Sequence, residues 1–284
     1  SAAAAALLRA VAGAAETGWD FSSRWLDAAA RAPPPTGAAL LLALNTSEVL
    51  PVDLNSYLLR AELNVRRFHA RVGNESGAAA LGRAAQARFA RMEGAMWSDE
   101  LGCWRDAARG GARAEPRALP HIASASDFLP LWALRDAGDA ELVGLNASRA
   151  RSAVRALQAS SLLGVGGVGS TALRTGQQWD WPNGWAPLQL MLVEALLESA
   201  PSMVGGESAP LGRSIGARWL ASNIASFPPG AEGLFEKFDV TRVGSRGGGG
   251  EYSPQVGFGW TNGVALSMIA MGIEPASPPS RLRG

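Results

Sequence analysis

Apolar residues along the chain recur mostly three and four positions apart, the spacing that lines one face of an α-helix. Asp53 stands where a cap is expected, ahead of Leu54, Leu58, Leu59, Leu63 and Phe68, and Gly73 closes that run. A second helix is predicted over about 78–97, with Leu81, Ala85, Phe89 and Met92 on one face. A third covers about 140–159, through Leu142, Val143, Ala150, Val154 and Leu157. The fourth opens after Asn183-Gly184, takes Pro187 into its first turn and continues through Leu190, Val193 and Leu197. A fifth spans about 214–224 and a sixth about 262–271. Residues 1–15 read as the middle of an alanine-rich helix, with no capping residue or polar lead-in before it and no leader-peptide pattern. The last residues, 277–284, are rich in Pro, Ser and Arg and are expected to fray.

Convincing two-residue alternation does not extend beyond short pieces such as 170–174. Helices separated in turn by tight connections and by the long Gly/Pro/Trp-rich segments 98–127, 160–186 and 228–261 suggest stacked helical hairpins. No regular repeat is present. Long irregular segments in a folded domain usually carry function, and here they hold five of the ten tryptophans.

Composition narrows the picture. The 284 residues are 47% hydrophobic and 18% charged, the balance of a core-forming chain, with a net charge of +1. That balance argues against a nucleic-acid partner. No apolar stretch reaches the roughly 20 residues of a membrane span; 263–273 is the longest. The single cysteine, Cys103, excludes an internal disulfide and a cysteine-based metal cluster. Lys237 is the sole lysine, which reads as the codon bias of a GC-rich genome. Cys103 has no partner motif and reads as an inert thiol. His69 reads as a surface residue and His121 as structural.

Three segments carry candidate chemistry. Glu16-Thr-Gly-Trp-Asp-Phe-Ser-Ser-Arg-Trp25 sets Asp20 between two large aromatics, where partial desolvation would raise its pKa toward a proton donor's range. The competing reading is a plain helix cap. Gln177-Gln-Trp-Asp-Trp-Pro-Asn-Gly-Trp-Ala-Pro187 interleaves three tryptophans with Gln178, Asp180 and Asn183. Flat rings beside amides suit a sugar, which offers CH faces and hydroxyls; the alternative is a turn with tryptophans in the core. Gly247-Gly-Gly-Gly-Glu-Tyr-Ser-Pro-Gln-Val-Gly-Phe-Gly-Trp-Thr-Asn-Gly263 resembles a linker at its start, but its glycines also allow Glu251 to project over a cleft. Two such carboxylates with a Trp/Asn/Gln wall suggest a glycoside hydrolase.

These segments resemble the trehalases, the α,α-trehalose hydrolases of glycoside hydrolase family 37. Segment 177–187 is similar to a signature of that family, and Gly18–Trp25 and Gly247–Gly263 are similar to its acid and base motifs. Leu50-Pro-Val-Asp-Leu-Asn55 and Glu236-Lys-Phe-Asp-Val240 extend the likeness. The resemblance implies an all-α (α/α)6 toroid and an inverting mechanism on trehalose, with Asp20 as general acid and Glu251 as general base. An inverting pair stands about 6.5–9.5 Å apart. It places Gly18 against the substrate, with Gln178, Trp179 and Trp260 binding sugar, and implies neither metal nor cofactor.

One departure accompanies the match. The family's earlier Pro-Gly-Gly-Arg-Phe and Trp-Asp-Ser signatures are absent, so residues 1–284 resemble the C-terminal part of one catalytic domain, with six or seven of twelve helices. An exposed helical flank is expected, and little activity without the N-terminal half of the toroid. Two alternatives stay open: another toroidal inverting α-glycosidase, or a truncated sugar-binding protein. Arg24 is expected in a structural salt bridge and Asp180 as a support for the tryptophan loop. Sequons at Asn45, Asn74 and Asn146 favour the secretory pathway or the extracellular space.

Overall fold

The alanine-rich opening forms a helix, α1 (Ala2–Glu16), whose Ala10 and Ala14 face the core. The computed structural model describes residues 2–26, 29–31, 33–36, 38–109, 116–199, 201–227 and 233–277. After α1 come α2 (Ala38–Leu42), α3 (Val52–Arg71) and α4 (Glu75–Ala95). Then follow α5 (Leu129–Ala133), α6 (Ala137–Val143) and α7 (Ala147–Ala159). The last are α8 (Ala186–Glu198), α9 (Pro201–Val204), α10 (Ser208–Ala225) and α11 (Gly259–Ala270).

Helices α3 and α4 fold back on each other as a hairpin. Asn74 makes the reversal possible, because its side chain accepts the Gly77 N–H at the open end of α4. Leu59 and Leu63 of α3 are fully buried with Ala85, Phe89 and Met92 of α4 in the main core. Truncating either leucine to alanine would cost about 2–5 kcal/mol. A second group packs α8 against α5, α10 and α11, burying Leu188, Leu192, Val193 and Leu196. The helical spacing therefore holds, and the result is all-α with helical hairpins.

The differences from the sequence-based expectation are local. The third helix is two, α6 and α7, because Gly144 turns left-handed (φ 74°) and Asn146 caps the restart by accepting the Ser148 N–H. Asp53 does not cap α3; Pro51 occupies that position and Asp53 is drawn into the interior by Arg24. Residues 170–174 form no strand; Thr171 alone bridges to Ser124. Residues 278–284 of the tail lie outside the described residues.

The long connections are not structureless. Trp97–Ser98 pairs with Cys103–Trp104, Val49–Leu50 with Ala107–Ala108, and Leu163–Gly164 with Gly167–Val168, all antiparallel. The ladder that matters most joins Asn183–Trp185 to Lys237–Asp239 and sets the tryptophan segment beside Glu236-Lys237. Among the described residues no helix is long and apolar enough to cross a membrane. On α11, Leu266 and Ile269 are 68% and 60% exposed, and with Ile224 and Phe227 they line an apolar groove of about 690 Å³. Among the described residues nothing covers this helical flank.

Candidate active site

The turn after α1 delivers Asp20. Gly18 makes that turn with φ 81°, and a side chain there would be strained although nothing crowds its open side. Trp19 N–H is held by Thr17 Oγ1, and the Asp20 main-chain oxygen accepts from Gln178 Nε2. Burial raises the Asp20 carboxyl above its ordinary value. Its own backbone N–H and the Trp179 indole N–H work against that rise, nearby Glu236 adds to it, and Lys237 opposes it. The Trp179 Nε1 group is buried and its N–H faces the Asp20 carboxyl, short of full hydrogen-bond geometry.

The segment behind Asp20 is anchored by charge. Arg24 is fully buried and makes two-pronged pairs to Asp53 (2.7 and 2.7 Å) and Asp106 (2.6 and 2.7 Å). Its guanidinium lies 4.7 Å from the ring centres of both Trp19 and Trp25. Asp180, also buried, accepts from Ser22 Oγ, Ser23 N, Ser23 Oγ, Thr171 Oγ1 and Thr175 Oγ1. It thus ties the acid loop to the tryptophan segment, whose Trp179 N–H also donates to Phe21 O. Arg24 and Asp180 are the structural supports expected of them.

The tryptophans adopt an arrangement that the sequence did not reveal. Trp179 is stacked between Trp19 (5.0 Å, 23°) and Trp185 (4.1 Å, 5°), and Trp260 meets Trp185 edge-on at 5.5 Å. Both faces of Trp179 are therefore covered by other rings, and what it offers a ligand is its N–H edge. The expectation of a flat ring face for sugar stacking fails at this residue. Trp260 is half-buried, with its N–H near Glu236 O at 3.4 Å. Gln178 is buried with both ends of its amide in use, one on Asp20 and the other on Lys237 Nζ at 2.9 Å. It supports the loops rather than presenting a free amide.

Glu251 lies across from these groups at the end of the glycine run. Gly249 and Gly250 have φ 74° and 83°. Gly250 N–H donates to Gly176 O at 2.9 Å, and Asn183 holds Gly248 twice, its Nδ2 donating to Gly248 O (2.7 Å) and its Oδ1 accepting the Gly248 N–H (3.1 Å). The Glu251 side chain is exposed, with Gln177 Nε2 at 3.4 Å. The structure thus brings Gly18, Asp20, Gln178, Trp179, Trp260 and the Glu251 loop into one neighbourhood.

Sequence reasoning left out Glu236 and Lys237 as site residues. Both are buried beside this neighbourhood, and two signals pointed at them: the likeness of segment 236–240 to the family and the single lysine in an arginine-rich chain. Elsewhere, Cys103, His121 and Asp127 place three possible metal-ligand atoms within 4.8 Å of one another. His121 Nε2 is taken up by Asp127 Oδ2 at 2.8 Å, and the same oxygen accepts the Ser124 N–H in a capping box. Burial pushes the Cys103 thiol up, as an inert cysteine requires.

The trehalase family model matches residues 1–272. Among curated relatives, a protein described as "Probable trehalase" from Oryza sativa subsp. japonica is 36% identical over 91% of this chain and 45% of its own length. Human "Trehalase" is 35% identical over 90% of this chain and 40% of its own length. The chain thus spans under half the length of these relatives. The solved structure of neutral trehalase Nth1 from Saccharomyces cerevisiae superposes with a TM-score of 0.59 at 23% identity, covering 79% of this chain and 38% of that one. That likeness carries the fold, part of an all-α toroid, and the match along 1–272 carries the relationship: the chain belongs to the trehalase family.

Proposed function

We propose that this chain supplies the acid and the base of an inverting glycosidase that hydrolyses α,α-trehalose. Asp20 donates its proton to the glycosidic oxygen as the bond from that oxygen to C1 breaks. Glu251 takes a proton from a water whose oxygen bonds to C1 from the opposite face. One glucose leaves as the α anomer and the attacked one as β, and the two carboxyl groups recover their starting protonation through solvent. What carries the reading is Asp20, a carboxyl pushed up by burial and facing the indole N–H of Trp179. An acid so placed keeps its proton at a higher pH than an exposed carboxylate would.

The other wall of the pocket is assigned to the N-terminal part of the family's ring. Coverage of under half of each relative supports this, as does the apolar groove beside α11, which is open among the described residues. Hydrolysis is expected of the completed ring, and glucose release by residues 1–284 alone would overturn that assignment. In the completed protein, Asp20→Asn and Glu251→Gln should each lower kcat about 10²–10⁴-fold with the circular dichroism unchanged. Proton NMR of fresh mixtures should show α- and β-glucose forming together. An active Glu251→Gln variant would remove the base assignment, and a preference for maltose over trehalose would favour a related α-glycosidase. Asn74 and Asn146 are exposed and support a secretory location; a mobility shift on endoglycosidase treatment tests it.

A further inference from the structure

We propose that Cys103, His121 and Asp127 form a binding site for one divalent cation of the zinc class. Among the described residues these three offer a sulfur, a ring nitrogen and a carboxylate oxygen that lie within 4.8 Å of one another. They come from three places in the long connection between α4 and α5. Cys103 lies in the strand that pairs back on Trp97–Ser98. Asp127 is the third residue of the turn Ala125–Phe128, which leads straight into α5, and His121 lies between the two. Cys103 and Asp127 are buried, at 3% and 2% exposure. The His121 side chain keeps 21% of its surface, so its edge is the way in for an ion. A cation held here would staple the Trp97–Trp104 hairpin to the start of α5.

The donor set selects the ion. Thiolate and imidazole suit zinc and cadmium, whereas calcium and magnesium take oxygen ligands. Zinc bonds of about 2.0–2.3 Å in a tetrahedral shell set neighbouring ligand atoms about 3.3–3.8 Å apart, so the three donors need move only about 1 Å, with water at the fourth position. His121 Nε2 and Asp127 Oδ2 are 2.8 Å apart, and the same oxygen accepts the Ser124 N–H at 3.0 Å. The cation would take the place of the proton between imidazole and carboxylate, and the Ser124 N–H would remain as outer support. The Cys103 thiol gives its proton to solvent as its sulfur bonds the cation, and the imidazole keeps a proton on its other nitrogen. Charge points the same way. Burial pushes the Asp127 carboxyl up, His121 relieves it and Asp106 adds to it. Burial and Asp127 push the Cys103 thiol up, and Arg105 opposes both that rise and a cation. Two buried acids thus share one imidazole, and a divalent ion supplies the charge that lets both ionise. Oxidants and alkylating agents need the thiolate and meet a protonated thiol, whereas a metal ion displaces that proton itself. The capping box accounts for Asp127 alone, not for a thiol and an imidazole gathered beside it.

The chain has one cysteine, so a sulfur-to-cadmium charge-transfer band can arise from Cys103 alone. Cadmium chloride titrated into the folded 284-residue chain should raise that ultraviolet band and saturate it at one equivalent. Zinc chloride should bind with the same stoichiometry in calorimetry, and at about 100 times its Kd should raise the melting temperature by about 4 °C. His121→Gln keeps a side chain that can donate to Asp127 but removes the imidazole. It should weaken cadmium at least about 100-fold, beyond the loss expected of a group that only supports a ligand. Cys103→Ser should abolish the band and the tight zinc binding together. Absence of the band in the folded chain would overturn the proposal. So would a band whose midpoint His121→Gln leaves unmoved, since a lone thiol would then account for it, and so would tight zinc binding that survives Cys103→Ser. Should Cys103→Ser not accumulate as folded protein, the His121→Gln titration decides. Glucose release does not enter the readout, so the outcome is independent of the acid and base assigned above.

Discussion

The acid loop and the base loop are held by different means. Around Asp20 the chain is fixed by buried charge: Arg24 clamped between Asp53 and Asp106, and Asp180 with hydroxyls and an N–H gathered on it. Around Glu251 it is fixed by the backbone of glycines, which can approach Gly176, Asn183 and Lys237 closely because they carry no side chain. Asp20 is half-buried and its pKa is raised, while Glu251 stands exposed. The difference fits the proposed roles. A proton donor gains from a dry, rigid seat, and a base that activates water must be reachable by water.

The largest test of this contrast is at Arg24. Arg24→Met would leave two carboxylates buried without their cation, a loss of about 3–5 kcal/mol in urea denaturation of the chain. A loss under about 1 kcal/mol would mean that the stacked tryptophans and Asp180 hold the acid loop on their own. Asp180→Asn is expected to cost less, about 1.5–3 kcal/mol, because the amide oxygen can still accept from some of the donors while its NH₂ faces others. Gly249→Ala should strike turnover more than stability. The left-handed φ of 74° costs about 1–2 kcal/mol with a side chain, and the new methyl would run into Gly176 O. The loop must shift, so kcat in the completed protein should fall about 100-fold with only a modest loss of stability. Equal damage to stability and turnover at Gly249 would erase the distinction between the loops.

Much of the frame was legible before any coordinates. Leu59 and Leu63 of α3 and Phe89 and Met92 of α4 sit at helical spacing and are buried. The break between α6 and α7 was also written in Gly144-Leu-Asn146, a left-handed stop followed by a capping residue, but periodicity on either side concealed it. Asp53 could not be read locally, since its partner Arg24 is 29 residues away and a buried pair outweighs a helix-capping preference. The two-residue ladders were beyond reach, because two positions cannot display alternation. Trp179 shows the same limit at the site: its segment identified the neighbourhood, while the stacking that covers both of its faces needs Trp19, 160 positions earlier.

The finest test lies where the two loops meet. Glu236 is buried and its charge raises the Asp20 pKa, while Lys237 lowers it. In the general-acid role Asp20 works protonated, so its pKa sets the alkaline limb of the kcat/KM profile. Glu236→Gln removes the negative charge, makes ionisation of Asp20 easier and should move that limb to lower pH. Lys237→Met should move it the other way, and the amide at 236 can still accept one of the two bonds that Glu236 takes from Tyr252 and Gln255. Rates measured from pH 4 to 9 on the two variants side by side decide the matter. Opposite displacements mean that the acid responds to the charges gripping the base loop, so the two regions form one electrostatic unit. Displacements in the same direction would mean that loop movement outweighs charge, and that the base loop governs the acid by position alone.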